Sequence, residues 1–199
     1  MKLENLGKVN HGLTISRITA KPDETQEEIP LFTMQDLNIE LGSYDLKSEG
    51  KTVSVSKENF DKDLLSKENI VVVGLTVHKA YKIEYHHIGK IIPSNFAYIY
   101  LDESKIDSNY FTWYFNDHPN VKRQLQIATQ GSMGIMALSV QMLRELEIDL
   151  PDIETQRKIG KVYELRHKKE KALYEKNLLE KDFYKQLMIN KLKEAKTCH

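Results

Sequence analysis

From Ile153 to about Lys193 the chain contains no proline and a single glycine, Gly160, within a dense mixture of Lys, Glu, Leu and Tyr. A segment of that length without a breaker reads as one helix, and at about 1.5 Å per residue it would extend for roughly 60 Å. No small domain buries such a rod along its whole length, so the chain must combine a domain with a projecting arm. Asp152 stands where it can cap the first turn, Glu154 suits the positive end of the helix dipole, and Lys191, Lys193 and Lys196 crowd the negative end. Ile159, Val162, Leu165, Ala172, Leu179, Phe183 and Leu187 recur at helical spacings, and Lys168, Lys169 and Lys176 thin the stripe in its middle. A broken stripe of this kind suits packing against another helix, from a second copy or a partner, better than a standalone parallel zipper. These seven are the expected dimerisation residues.

Before Pro151 the apolar residues fall into short runs bounded by Gly, Pro, Asn and Asp, which predicts a mixed α/β domain over residues 1–150, with the arm over 151–199. IVVVGL (Ile70 to Leu75) is β-branched and too short for a helix, and FAYIYL (Phe96 to Leu101) alternates aromatic and aliphatic residues; both are expected to be central strands. Ser108 to Phe115 and Val121 to Thr129 carry apolar residues at helical spacings and are separated by Asp117, His118 and Pro119, so they read as two helices with a turn at the proline. A short helix capped by Ser139 follows, and then a short strand from Leu146 to Leu150.

Several function classes are disfavoured. No apolar run approaches the roughly 20 residues that cross a bilayer, the first residues lack a secretory core, and Cys198 is the only cysteine. A cytoplasmic, disulfide-free protein without a membrane role is expected. The 29 basic and 29 acidic side chains cancel, and by count residues 1–120 are net −5 and residues 121–199 net +5. If the chain binds DNA, something else must supply much of the phosphate affinity. There is no Gly-x-Ser-x-Gly elbow, Walker loop, GxGxxG fingerprint or Asn-Pro-Pro-Tyr-type methyltransferase motif, so no catalytic residue is assigned. Gly131-Ser132-Met133-Gly134 reads as a turn and not as a phosphate cradle. Tyr110, Phe111, Trp113, Tyr114 and Phe115 read as core packing in preference to base stacking. His78, His86 and His87 invite a metal reading, but cysteine pairs are lacking, and His86 and His87 on a strand would point to opposite faces. No metal or cofactor is expected.

The passage GSMGIMALSVQMLRELEIDLPDIETQRKI, Gly131 to Ile159, combines a Gly-Ser turn, a Leu-Ser helix entry, an Ile-x-Leu-Pro exit and a helix opening with Glu-x-Gln-x-x-Ile. This junction resembles the one between target-recognition domain and conserved helix in the DNA specificity subunits of type I restriction-modification systems. LGKVNHGLT (Leu6 to Thr14), IPLFTMQDL (Ile29 to Leu37), the strand around Asn69 to Leu75, PSNFAYIYL (Pro93 to Leu101) and SNYFTWYF (Ser108 to Phe115) fall in the family's order. Glu68 and Asn69 depart from the Gly-Asp that usually precedes that strand. Family members commonly hold two recognition domains and two helices, whereas this chain has one of each.

The resemblance implies an α/β recognition domain with a long helix that forms an antiparallel coiled coil. It also implies a non-catalytic subunit that reads double-stranded DNA for a methyltransferase (modification) subunit and a restriction motor subunit, whose cofactors are their own. A homodimer would restore two recognition domains and, by two-fold symmetry, read a bipartite palindromic site. Base readout in the major groove calls for two-pronged polar side chains, and the loop candidates are Ser16, Arg17, Lys79, Lys82, Gln130 and Ser132. The rivals are a coiled-coil adaptor that no longer binds DNA, favoured by the acidic first part of the chain, and the specificity piece of a split restriction-methylation enzyme.

Overall fold

The computed structural model describes residues 1–129 and 137–197. The element order is β1 (Gly7–His11), α1 (Ile15–Ile18), β2 (Gln26–Pro30), α2 (Met34–Glu40), β3 (Thr52–Ser56), β4 (Ile70–Gly74), β5 (Lys79–Lys82) and β6 (Phe96–Leu101). Four helices follow: α3 (Ser108–Asp117), α4 (Pro119–Thr129), α5 (Val140–Glu145) and α6 (Ile153–Thr197). This is the expected mixed α/β domain with a long terminal helix.

The β-branched and aromatic runs form the centre of a four-stranded antiparallel sheet in the order β1-β6-β4-β5, with Val72 opposite both Tyr98 and Tyr81. Every residue of β4 is buried, because both sheet faces are covered, and a strand covered on both sides can be apolar throughout. Ile70 and Val72 pack with Phe32, Leu37, Ile92 and Phe96 on one face; Val71 and Val73 pack with Phe111, Phe115 and Leu143 on the other. A second sheet, β2-β3, closes a smaller cluster around Ile29, Val53, Val55 and Ile91. The segment IPLFTMQDL forms the entry to α2, where Thr33 and Asp36 make a reciprocal capping box: the Asp36 N–H donates to Thr33 Oγ1 at 3.0 Å and the Thr33 N–H to Asp36 Oδ2 at 2.8 Å.

Leu146 to Leu150 does not form the expected strand. Only a single bridge joins Glu147 to Lys2; the Leu3 N–H reaches Leu146 O and the Ile148 N–H reaches Met1 O. The N-terminal partner turns into a 3-10 helix at Leu3, so the ladder has nothing to extend along. The segment is instead fixed by side chains: Tyr110 donates to Asp149 O at 2.5 Å, and both the Tyr114 hydroxyl and the Asn120 amide donate to Asp149 Oδ2 at 2.8 Å.

Helix α6 runs for 45 residues and begins at the expected cap, where the Thr155 N–H donates to Asp152 Oδ1 at 2.9 Å. Its first turns lie against α3. Gln156 is buried, accepting the Asp107 N–H and donating to Lys105 O and Pro151 O. Asn116 is also buried and reads like a strand neighbour of β5: it accepts the Ala80 N–H and donates to Ala80 O, both at 2.8 Å, and donates to the Tyr163 hydroxyl of α6 at 2.9 Å. At Gly160 the two helices approach so closely that a Cβ would stand 2.4 Å from Asp107 Oδ1 and 2.8 Å from the Tyr110 nitrogen.

Alanine favours a helix over glycine by about 1 kcal/mol, yet Gly160→Ala is expected to lower stability by about 1–3 kcal/mol through overpacking. A denaturant midpoint at or above that of the unchanged chain would contradict this close approach.

Candidate nucleic-acid interface

The antiparallel register brings the C-terminal ends of β1 and β4 and the N-terminal ends of β6 and β5 to one end of the four-stranded sheet, where His11 faces Ala97 and Gly74 faces both Phe96 and Lys79. The β1–α1 and β4–β5 connections therefore emerge together. Gly12 permits this, since a Cβ there would sit 2.1 Å from Pro93 O; the Leu13 N–H donates to Ile92 O at 2.8 Å just beyond. Ser16 and Arg17 follow on α1, both exposed. In the β4–β5 turn Thr76 and Val77 are exposed, and His78 takes a left-handed backbone conformation with φ 53°. Leu138 arrives beside this turn, its N–H donating to Leu75 O at 2.7 Å.

The predicted contact residues are not all gathered at this end. Ser16, Arg17 and the start of β5 at Lys79 share it, but Lys79 turns its ammonium to Asn116 O at 3.3 Å. Lys82 lies at the opposite end of β5, facing Val71, and lines a cavity against α6. Gln130 and Ser132 lie outside the described residues. At that far end, in the turn before β4, Asn69 adopts φ 62°, a conformation that asparagine tolerates better than most residues.

The cavity between α2, β5 and α6 has a volume of about 260 Å³ and is lined by Glu40, Tyr44, Tyr81, Lys82, Glu84, Tyr163, Glu164, His167, Lys168 and Lys171, among others. Both ring nitrogens of His167 are buried without a hydrogen-bond partner; Nδ1 lies 3.8 Å from Glu170 Oε2, and the ring meets Tyr163 edge-on at 4.4 Å. Burial first, and then the Arg166 guanidinium, hold the His167 imidazole below its usual range, against the opposing charges of Glu170 and Asp117. His86 and His87 are not on a strand. They occupy a 3-10 turn, Tyr85–His87, and both bring Nε2 to Glu40 Oε1, at 2.7 Å and 3.1 Å. Sequence reading missed Glu40, Asn116 and His167, because each is joined to partners distant in the chain.

The predicted dimerisation residues divide in two. Ile159 packs against the domain core, whereas Val162, Leu165, Ala172, Leu179, Phe183 and Leu187 are exposed. Trp113, Ile159, Val162 and Arg166 line a shallow apolar groove where α3 meets α6. The last ring contact from α6 to the domain is Tyr174 on Tyr44, at 5.4 Å; beyond it the helix exposes Leu178, Leu179, Phe183, Tyr184, Leu187, Met188 and Leu192. Among the described residues no helix is long and apolar enough to cross a membrane.

Residues 1–165 match the sequence profile of the type I restriction modification DNA specificity domain. No curated protein matches the sequence. Among solved structures, the HsdS subunit from Thermoanaerobacter tengcongensis superposes with a TM-score of 0.51 at 15% identity, over 87% of this chain and 38% of that one. A chain from a study of complex assembly and conformational transition of the type I R-M system superposes with a TM-score of 0.59 at 11% identity, over 84% of this chain and 42% of that one. The chain thus spans about two fifths of the length of either neighbour. At these identities the likeness is one of fold.

Because burial lowers the His167 pKa below its ordinary value of 6.5, the unfolded chain takes up the proton first as pH falls. The imidazole's contribution is therefore complete above that value and is lost as the pH falls from it through the lower pKa of the folded state. His167→Phe is expected to flatten the fall in melting temperature between about pH 7.5 and 5.5; parallel curves for the two chains would remove His167 from this role.

Proposed function

The chain belongs to the type I restriction modification DNA specificity domain family, and from that premise we propose that it recognises double-stranded DNA by sequence, without catalysis of its own, for a modification and restriction complex. The observation that carries the reading is the match of the family profile to residues 1–165, which takes in the whole α/β domain and the root of α6. The sheet end bearing Ser16, Arg17 and the β4–β5 turn is the face offered to the major groove, where polar side chains on loops can read base edges. Lys79 and Lys82 act less directly, since one bonds to α3 and the other faces the α6 cavity. Residues 1–150 serve as the recognition unit, and residues 151–199 as the arm that dimerises and docks a methyltransferase subunit; a restriction motor subunit joins through that partner.

The arm supports self-association. Val162 lines the groove beside Trp113, Leu165 is exposed nearby on the helix, and Leu179, Phe183 and Leu187 extend the exposed apolar surface beyond the domain. An antiparallel pair of such helices would bury both stretches and set two recognition domains at its ends, related by a two-fold axis. The matching target is a palindromic bipartite site. The charge balance fits a division of labour in which partner subunits grip phosphates and this chain reads bases.

Light scattering on the purified chain is expected to give twice its 23.2 kDa mass, with Leu179→Glu/Phe183→Glu reverting it to the monomer. A persistent monomer would overturn the homodimer and its palindrome. With the modification subunit present, selection from random duplex is expected to return a palindromic bipartite site, and Arg17→Ala to weaken its binding more than Lys82→Ala. Equal binding of random duplex with a shallow salt dependence would mark the chain as an adaptor that does not read DNA.

A further inference from the structure

Glu40, His86 and His87 bring three metal-ligating atoms within 4.8 Å of one another, the one such group among the described residues. Glu40 closes the last turn of α2, which the Thr33–Asp36 capping box starts, and the two histidines occupy successive positions of the 3-10 turn that follows β5. On a 3-10 turn successive side chains are rotated by about 120°, and not by the near half-turn of a strand, so neighbours can converge on one point. Both Nε2 atoms do so at Glu40 Oε1, and the imidazole rings lie 4.2 Å apart.

We infer that Glu40, His86 and His87 form a binding site for a divalent transition-metal ion of the zinc class, which fastens the end of α2 to the turn after β5. Two imidazoles and one carboxylate are the donor set of borderline ions such as Zn2+, whereas Mg2+ and Ca2+ prefer oxygen alone. Bonds of about 2.0–2.2 Å in a tetrahedron separate ligand atoms by roughly 3.4 Å. The observed separations of 2.7 Å and 3.1 Å are a little shorter than that value, and all three ligand atoms lie within 4.8 Å of one another. The groups are also held in place. His87 is buried with its ring edge-on to Phe32 at 5.0 Å and to Tyr81 at 5.9 Å, and Glu40 is mostly buried.

Coordination through Nε2 requires each imidazole to carry its proton on Nδ1. For His87 this tautomer exchange sacrifices no further hydrogen bond, because its buried Nδ1 has no partner. The contacts given up are those to Glu40, which the ion replaces. The Tyr81 hydroxyl, on a residue 8% exposed, lies beside the same carboxylate and lines the adjoining cavity with Glu40. A water can take the fourth position of the ion, and His86, with a side chain 34% exposed, leaves an entry path from solvent. The ion's role is to join elements, since its site sits on the domain's flank next to α6, and not at the sheet end bearing Arg17.

The test uses the untagged full chain, Zn2+ and Co2+ as probes, equilibrium dialysis with elemental analysis, and the visible absorption of bound cobalt. The expected result is one ion per chain with the strong absorption of tetrahedral Co2+, and a melting temperature raised by Zn2+. His86→Ala and Glu40→Gln are each expected to lower Zn2+ affinity by at least about tenfold and to abolish the tetrahedral band. The partly exposed His86 keeps the test decisive if Glu40→Gln does not fold. Absence of stoichiometric binding to the unchanged chain would overturn the site, as would unaltered binding to His86→Ala.

Discussion

The architecture depends on the contact between α3 and the first turns of α6. A helix of 45 residues has no reason to take one direction from a small domain unless its root is fixed, and three residues fix it. Gly160 lets the backbones approach, Gln156 satisfies the Asp107 N–H and two carbonyls, and Asn116 ties α3 both to Tyr163 of α6 and to β5. The polar bonds matter because they are buried: removing either amide would strand partners at about 1–3 kcal/mol each. The sheet, the aromatic helix and the rod therefore share one set of constraints, and the orientation of the arm is set by the same groups that complete the core.

The exposed part of the arm lives under a different regime. On the solvent side of α6 the pairs Lys158–Glu154, Arg166–Glu170 and Lys176–Glu180 are spaced i,i+4 and exposed, each adding a few tenths of a kcal/mol to helix formation. Past Tyr174 the large apolar side chains, among them Leu179, Phe183 and Leu187, remain in solvent. Local charge pairs keep the rod helical without deciding what covers its apolar side chains.

Much of this was legible in the sequence, for identifiable reasons. The rod announced itself because helix propensity and the absence of proline act locally, and β4 and β6 did so because β-branched and aromatic runs have few alternatives. The Glu-x-Gln-x-x-Ile motif was visible as a pattern, and the structure supplies its physics: Gln156 is a buried three-way connector and Ile159 meets the core. The Leu146–Leu150 strand failed because strand formation depends on a partner, and here the partner turns away at Leu3. The pairing of His86 and His87 with Glu40 spans more than forty residues of chain, and no spacing rule encodes it. The same holds for Lys82, whose position on β5 was readable but whose cavity was not.

The bidentate hold of Asn116 on Ala80 has a consequence beyond anchoring. β5 is an outer strand of the main sheet, and an outer strand ordinarily offers its amides and carbonyls to any extended peptide that comes near. Here one side-chain amide takes the place the next strand would occupy, while on the opposite edge Arg144 donates to Val9 O at 2.9 Å. Backbone zippering, which is indifferent to sequence, is thereby obstructed on both flanks of the main sheet. Recognition of other molecules is left to side chains, where single substitutions can change what is recognised while the scaffold persists.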